Sequence, residues 1–232
     1  GVNDLSKDAQ VILNTSTIPG EGKSFVSTNL AFTFAESGYK VILLDCDLRL
    51  PNVAKSLQID HDSGLLDYIR NGTALEEVVE QEVFPNLDIL AAGGRSRTPM
   101  AIFNNEAFPA LIEELKQYYD KIIIDSPPLA AVSDALNIMP KVDGVIFVIK
   151  YNTVKRNAAA TAVRKLNEAG KPIFGAVLNN MHSKAAEYYY SEYYTGHYKN
   201  YYAAREGIPE TRKTKPPSRT ASPDSGLSEA QA

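Results

Sequence analysis

A single cysteine, three histidines, no block of basic residues and no long apolar run set the first limits on this 232-residue chain. The lone Cys46 excludes an intramolecular disulfide and a multi-cysteine metal site, and it fits a reducing compartment such as the cytoplasm. No group of lysines and arginines is dense enough for a nucleic-acid surface and the net charge is -4, so nucleic acid is not an expected partner. No stretch approaches the roughly 20 apolar residues that span a bilayer. The opening GVNDLSKDAQ lacks the basic end and apolar centre of a signal peptide, so the polypeptide is expected to be soluble by itself. It also begins without methionine, which raises the expectation of a piece cut from a longer protein, with any membrane anchor upstream.

What is present is an alternation. Short apolar runs at Val11–Leu13, Val41–Leu44, Leu87–Leu90, Ile122–Ile124, Val145–Ile149 and Ile173–Leu178 read as buried strands. Between them lie helical periodicities at Ser24–Glu36, with apolar positions Phe25, Leu30, Phe32 and Phe34, and at Ala107–Tyr118 and Arg156–Ala169. Strand and helix in turn predict an α/β fold, a doubly wound, mostly parallel sheet with helices on both faces and ligands beyond its carboxyl edge. The expected division is a P-loop domain over 1–181, a tyrosine cluster over 182–204 and a disordered tail of Pro, Ser, Thr and charge over 205–232.

Directly after the first strand, STIPGEGKS runs from Ser16 to Ser24 and matches the P-loop ending G-K-[ST], with Thr17 where the first glycine is usual. Gly20 and Gly22 let backbone N–H groups turn inward around phosphate, and a helix N-terminus adds partial positive charge. Lys23 is placed to reach the β- and γ-phosphates and Ser24 to ligate Mg²⁺. The second strand ends in VILLDCDLR and a later one in KIIIDSPP, which brings Asp45, Asp47 and Asp125 toward the same edge. Phosphoryl transfer needs such carboxylates to hold metal and to take a proton. The alternative is that these acids cap the helices that follow. Cys46, between two acids, points to the sheet's other face as a small buried hydrophobe. Arg49 has three candidate partners: a phosphate, a carboxylate or a neighbouring subunit.

Eight of the thirteen tyrosines fall between Tyr188 and Tyr202 (YYYSEYYTGHYKNYY), a segment with too few aliphatic residues for a core. A phosphate loop and clustered, exposed phenols in one chain suggest an enzyme that carries its own substrate. His182 and His197 read as exposed loop residues.

On these motifs the chain, from about Val11 to Tyr202, resembles the cytoplasmic kinase domain of the bacterial protein-tyrosine kinases that control capsule and exopolysaccharide synthesis. The family's P-loop corresponds to Thr17–Ser24, its second nucleotide motif to Val41–Asp47 and its third to Ile122–Asp125 with Pro127 and Pro128. The resemblance implies ATP and Mg²⁺ as cofactors, with nucleotide held by Thr17, Pro19, Gly20, Glu21, Gly22, Lys23, Ser24 and Phe25, and with Asn179 reading adenine. It implies that Lys23 binds phosphate, that Ser24 and Asp125 serve Mg²⁺ with help from Asp47, and that Asp45 takes the proton from an incoming tyrosine. Acceptors would be Tyr188, Tyr189, Tyr190, Tyr193, Tyr194, Tyr198, Tyr201 and Tyr202, presented in trans. Implied partners are other copies of the chain, a membrane-embedded polysaccharide co-polymerase activator region, fused or separate, and a protein-tyrosine phosphatase. That places the domain in the cytoplasm at the inner face of the cell membrane. The family's E-x-x-R-x-x-R association helix has no counterpart in the ten residues before Val11, and RSRTPMAIF at Arg95–Phe103 replaces an N-P-S-E-like stretch.

Two other functions share parts of this pattern. Partition and division-site ATPases have the same nucleotide motifs, but they usually place a second P-loop lysine where Ile18 stands, and they have no use for clustered tyrosines. A non-catalytic nucleotide-binding adaptor would not need the full set of Lys23, Ser24 and three aspartates. Each phosphate adds about -1.5 to -2, so eight would add roughly -12 to -16. Repulsion between such tails should grade assembly by phosphate count. Single tyrosine replacements are therefore expected to leave regulation largely intact and removal of all eight to abolish it, as read by light scattering before and after ATP treatment.

Overall fold

The computed structural model describes residues 8–59, 63–130 and 134–181, so the tyrosine cluster, His182, His197 and the stretch from 205 onward lie outside the described residues. Seven strands form one sheet: β1 (Val11–Ser16), β2 (Val41–Asp45), β3 (Glu80–Phe84), β4 (Leu87–Leu90), β5 (Lys121–Asp125), β6 (Gly144–Lys150) and β7 (Ile173–Asn179), in the spatial order β3-β4-β2-β5-β1-β6-β7. All neighbours pair in parallel except β3 and β4, which form an antiparallel hairpin across Pro85 and Asn86 at one edge. The helices are α1 (Lys23–Glu36), α2 (Val53–Leu57), α3 (Leu65–Asn71), α4 (Leu75–Val78), α5 (Pro99–Phe103), α6 (Ala107–Tyr118), α7 (Asp134–Ile138) and α8 (Arg156–Glu168).

The period-two geometry of a strand divides each apolar run between two cores. Ile12, Val41, Leu43, Ile89 and Ile123 face α1 and α2. Val11, Leu13, Ile42, Leu44, Ile122 and Ile124 face the opposite layer, where α3, α5, α6, α7 and α8 pack. Helices thus cover both faces, as the strand–helix alternation predicts. The same parity carries on to the ends of the strands. Continuing 41-43-45-47, 123-125 and 12-14, it puts Asp45, Asp47, Asp125 and Asn14 on the α1 side, and it puts Cys46 in the opposite core, fully buried.

α1 turns a different face inward from the one its aromatic residues suggest. Its buried positions are Ser27, Thr28, Ala31 and Ala35, while Phe25 is 66% exposed and Leu30, Phe32 and Phe34 are only partly buried against the core. Small side chains at i, i+4 and i+8 let the helix axis lie close to the sheet, and they place Ser27 over the carboxyl end of β5. The edge strand β3 has no counterpart in the apolar runs, because EQEVF is half exposed, packs only Val83 and Phe84 against the core, and is kinked at Glu82, whose φ is 51°.

The far layer is well filled. Phe108 of α6 is fully buried and meets Phe103 edge to face, with ring centroids 5.1 Å apart. Phe108→Ala is expected to lower stability by about 3–5 kcal/mol, seen as a reduced urea midpoint with an unchanged m-value.

Candidate active site

The phosphate loop joins β1 to α1 in the middle of the sheet, where the strands on either side of β1 are β5 and β6. Gly20 and Gly22 both take left-handed conformations, φ 81° and 88°. At Gly22 a side chain is excluded twice over, because a Cβ there would overlap the Asn179 amide. α1 starts with no side-chain cap and no acid in its first turn, so its leading N–H groups stay available to an anion.

The loop is pinned from three directions. The Glu21 side chain is fully buried beneath it, accepting from the N–H of Ile18 at 2.7 Å and of Lys150, at the end of β6, at 3.1 Å. Asn179, the last residue of β7, donates through Nδ2 to the Glu21 carbonyl at 2.8 Å, and its Oδ1 accepts from Asn180 N–H at 2.8 Å. From the segment after β5, the N–H groups of Leu129 and Ala130 donate to the carbonyls of Ser16 and Thr17, each at 2.9 Å. Glu21 and Asn179, which the family pattern assigns to nucleotide, therefore brace the loop in this structure. Thr17 is buried with a hydroxyl that finds no partner among the described residues.

Around Lys23 the parity of the strands gathers the acids. Asp45 of β2 lies in register with Asp125 of β5, and Asp125 with Asn14 of β1. Lys23 Nζ donates to Asp47 Oδ2 at 2.8 Å. Burial opposes the charge on Lys23, but Asp125, Asp47 and Asp45 outweigh it, and the net pKa is raised. Ser27 Oγ lies 2.9 Å from the Lys23 carbonyl and 3.0 Å from Asp125 Oδ1, and it accepts from Asn14 Nδ2 at 3.0 Å. Asp125 Oδ2 has no hydrogen-bond partner among the described residues although Asp125 is fully buried. Burial raises the Asp125 pKa, opposed by the charge of Lys23 and the hydroxyls of Ser24 and Ser27.

Asp45 differs from Asp47. Its Oδ2 accepts from the N–H groups of Asn52 and Val53, each at 2.9 Å, and its Oδ1 from Asp47 N–H at 3.2 Å. This is the helix-capping alternative realised at the start of α2. A cleft of about 410 Å³ runs past the loop, with Gly20, Gly22, Lys23, Ser24 and Phe25 along one side and Asp47, Arg49 and Pro127 on the others. Asp47 thus forms part of the cleft wall, while the buried Asp45 is not among the residues that line it. Arg49 resolves to a carboxylate: its Nε and Nη2 donate to Asp134 at 2.6 and 3.2 Å, joining the end of β2 to α7.

The donor set fits a phosphate-bound Mg²⁺. Among the described residues no three His, Cys, Asp or Glu side chains are grouped to hold a metal by themselves. The unpartnered Asp125 oxygen beside Ser24 suits an ion that keeps waters and takes phosphate oxygens. Sequence reasoning misses Asn14, Ser27 and Asp134. The first two are legible in hindsight as a polar residue in the middle of β1 on the α1 face and the hydroxyl one turn beyond Lys23.

Burial, and next the charge of Asp125, push the Asp45 carboxyl up to about 7, against three backbone hydrogen bonds that lower it. A pKa raised on folding stabilises the nucleotide-free protein fully below the ordinary aspartate range, and that contribution is lost as pH rises through about 7. Carbon-13 NMR of labelled aspartates is expected to show a carboxyl titrating near 7 that vanishes in Asp45→Asn. The same titration should move down in Asp125→Asn.

Comparison with known proteins agrees with this geometry. The AAA domain family matches residues 9–171. The tyrosine-protein kinase CpsD of Streptococcus agalactiae is 31% identical over 84% of this chain and 82% of its own. The putative tyrosine-protein kinase EpsB of Ralstonia solanacearum is 30% identical over 79% of this chain but only 24% of its own. Among solved structures, the VpsO kinase domain superposes with a TM-score of 0.72 at 36% identity, covering 78% of this chain and 88% of that one. The septum site-determining protein MinD of Pyrococcus horikoshii, complexed with Mg-ADP, gives 0.63 at 26% identity, covering 77% and 76%. Both likenesses extend over more than three quarters of this chain, and the higher identity and TM-score on the kinase side decide between them. The chain belongs to the bacterial tyrosine-protein kinases of the capsule and exopolysaccharide type, built on an AAA-domain P-loop fold.

Proposed function

We propose that this protein is an ATP-dependent tyrosine autokinase whose own cluster, Tyr188 to Tyr202, is phosphorylated in trans by a second copy. The observation that carries the reading is the Lys23–Asp47 pair in the wall of an open cleft at an uncapped helix N-terminus, in a chain that also bears eight clustered phenols. Lys23, kept cationic by three carboxylates, neutralises the β- and γ-phosphates, and the N–H groups between Gly20 and Ser24 cradle them. Bound Mg²⁺ supplies charge neutralisation on the phosphates, with Ser24, Asp47 and Asp125 holding it directly or through water.

The phenolic oxygen of an incoming tyrosine bonds to the γ-phosphorus as the bond to the bridging oxygen of ADP breaks. The phenolic proton passes to a carboxylate. Asp45 is the proposed acceptor because burial and Asp125 keep its carboxyl basic, and Asp47, in front of it, positions the phenol. Phe25, exposed at the cleft rim, offers an apolar surface to the adenine or to the incoming ring. Asn179 acts on the nucleotide through the loop it braces. No helix among the described residues is long and apolar enough to cross a membrane. The site of action proposed is the cytoplasmic face of the bacterial membrane, reached through an activator region fused to or separate from the domain, with phosphate removed by a protein-tyrosine phosphatase and polysaccharide synthesis or export as the regulated process.

The test is intact-protein mass after phosphatase-treated chain is incubated with ATP and Mg²⁺, beside Lys23→Met, Asp45→Asn and a variant with the eight clustered tyrosines changed to Phe. Multiple added phosphates are expected in the parent protein and none in the Lys23 and Phe variants, with incorporation slowed about 10²- to 10⁴-fold in Asp45→Asn. ATP hydrolysis without phosphate on tyrosine, in the presence of the activator region, would reassign the chain to the sorting ATPases.

A further inference from the structure

A second cavity of about 660 Å³ adjoins the cleft through Arg49 and is otherwise lined by Arg95, Ser96 and Arg97. It has no role in the phosphoryl transfer itself. Arg95 and Arg97 are exposed, and neither has an ion-pair partner among the described residues. The segment that carries them is held firmly at its centre. Ser96 is buried, its N–H donates to the Leu48 carbonyl at 2.8 Å, and its hydroxyl oxygen accepts from Arg70 Nη2 at 3.0 Å and from Thr98 N–H at 3.2 Å. The arginine segment is thus tied to β2's continuation one residue beyond Asp47. Arg49 commits Nε and Nη2 to Asp134, which leaves its Nη1 without a carboxylate among the described residues.

Three guanidinium groups around one opening, with a single carboxylate satisfying part of one of them, leave an excess of positive charge on a chain whose net charge is -4. Planar guanidinium donors match a phosphate bidentately, and a site with several of them selects a dianion over a single carboxylate. The cavity lies beside the place where phosphate is transferred, and the candidate substrate carries tyrosines in runs of three and two as well as singly. Arg49 lines both the cleft and this cavity, and an extended chain advances up to about 3.3–3.6 Å per residue, so neighbouring tyrosines of one tail can address the two openings together.

We propose that Arg49, Arg95 and Arg97 form a phosphotyrosine-binding subsite that holds an already modified residue of the cluster while an adjacent tyrosine enters the cleft. The inference rests on the autokinase reading for the origin of its ligand, but not for the binding itself. Its consequence is that the first phosphate on a tail favours the next on the same tail, so that heavily modified and unmodified chains coexist at low average stoichiometry.

The probe is a synthetic peptide of residues 188–202 carrying phosphate on Tyr194, with its unphosphorylated counterpart, binding to the full chain in which the eight clustered tyrosines are Phe. Fluorescence anisotropy should show the phosphopeptide binding at least tenfold more tightly, with the difference lost in Arg95→Gln/Arg97→Gln. Phenyl phosphate should compete better than inorganic phosphate. Equal binding of the two peptides, survival of the difference in the double variant, or equal competition by inorganic phosphate would each overturn the assignment. Because the phosphate is placed synthetically, a chain that fails to autophosphorylate still shows whether the subsite binds. In the parent protein the double variant should retain the first phosphorylation and lose the excess of multiply phosphorylated species in the mass spectrum.

Discussion

One ammonium group faces three carboxylates at the carboxyl edge of the sheet, and most of the site's construction answers that imbalance. Lys23 neutralises Asp47 directly and Asp45 and Asp125 only in part, so burial drives the two inner acids toward their protonated forms. Such an arrangement persists only if the backbone around it is fixed. The three N–H groups on Asp45, the Ser27 and Asn14 contacts and the bracing of the loop through Glu21 provide that fixity. A site that holds excess negative charge in the absence of ligand is also one that a divalent cation relieves. The electrostatics therefore favour binding metal and nucleotide together over binding either alone.

The same imbalance separates two duties that a D-x-D pattern merges. Strand parity sends both acids to the α1 side, but only two residues along the chain the environment changes from a helix cap to a cleft wall. Asp45 loses its solvent and gains N–H donors, while Asp47 meets the lysine. A carboxyl whose pKa is raised by burial and a neighbour in the cleft wall paired to a lysine match the two separate duties proposed for them.

Most of the frame is legible in the residues, because parallel strands are uninterrupted apolar runs and six of the seven have them, although β7, expected to be buried, lies at the sheet edge and is only partly covered, with Leu178 exposed. The phosphate loop is legible because its glycines and lysine have few other uses between a strand and a helix. The edge strand β3 is not, since half-exposed polar residues in a bulged hairpin carry no period. The inward face of α1 escapes a reading that equates apolarity with burial. There, proximity of helix to sheet matters more than side-chain size, and Ser27 and Ala31 win over Phe25. Partners far apart in sequence, such as Arg49 with Asp134 or Glu21 with Lys150, are fixed by topology and leave no local trace.

Asn179 closes the sheet and grips the loop near the other end of the domain, 158 positions away from the carbonyl it binds. Gly22 has no side chain partly so that this amide can occupy the space. The two ends of the fold are therefore a single latch. A boundary drawn a few residues too early would leave every strand-forming apolar run in place and still loosen the phosphate cradle. Residues with no claim to touch ATP would then behave in genetic screens as though they did.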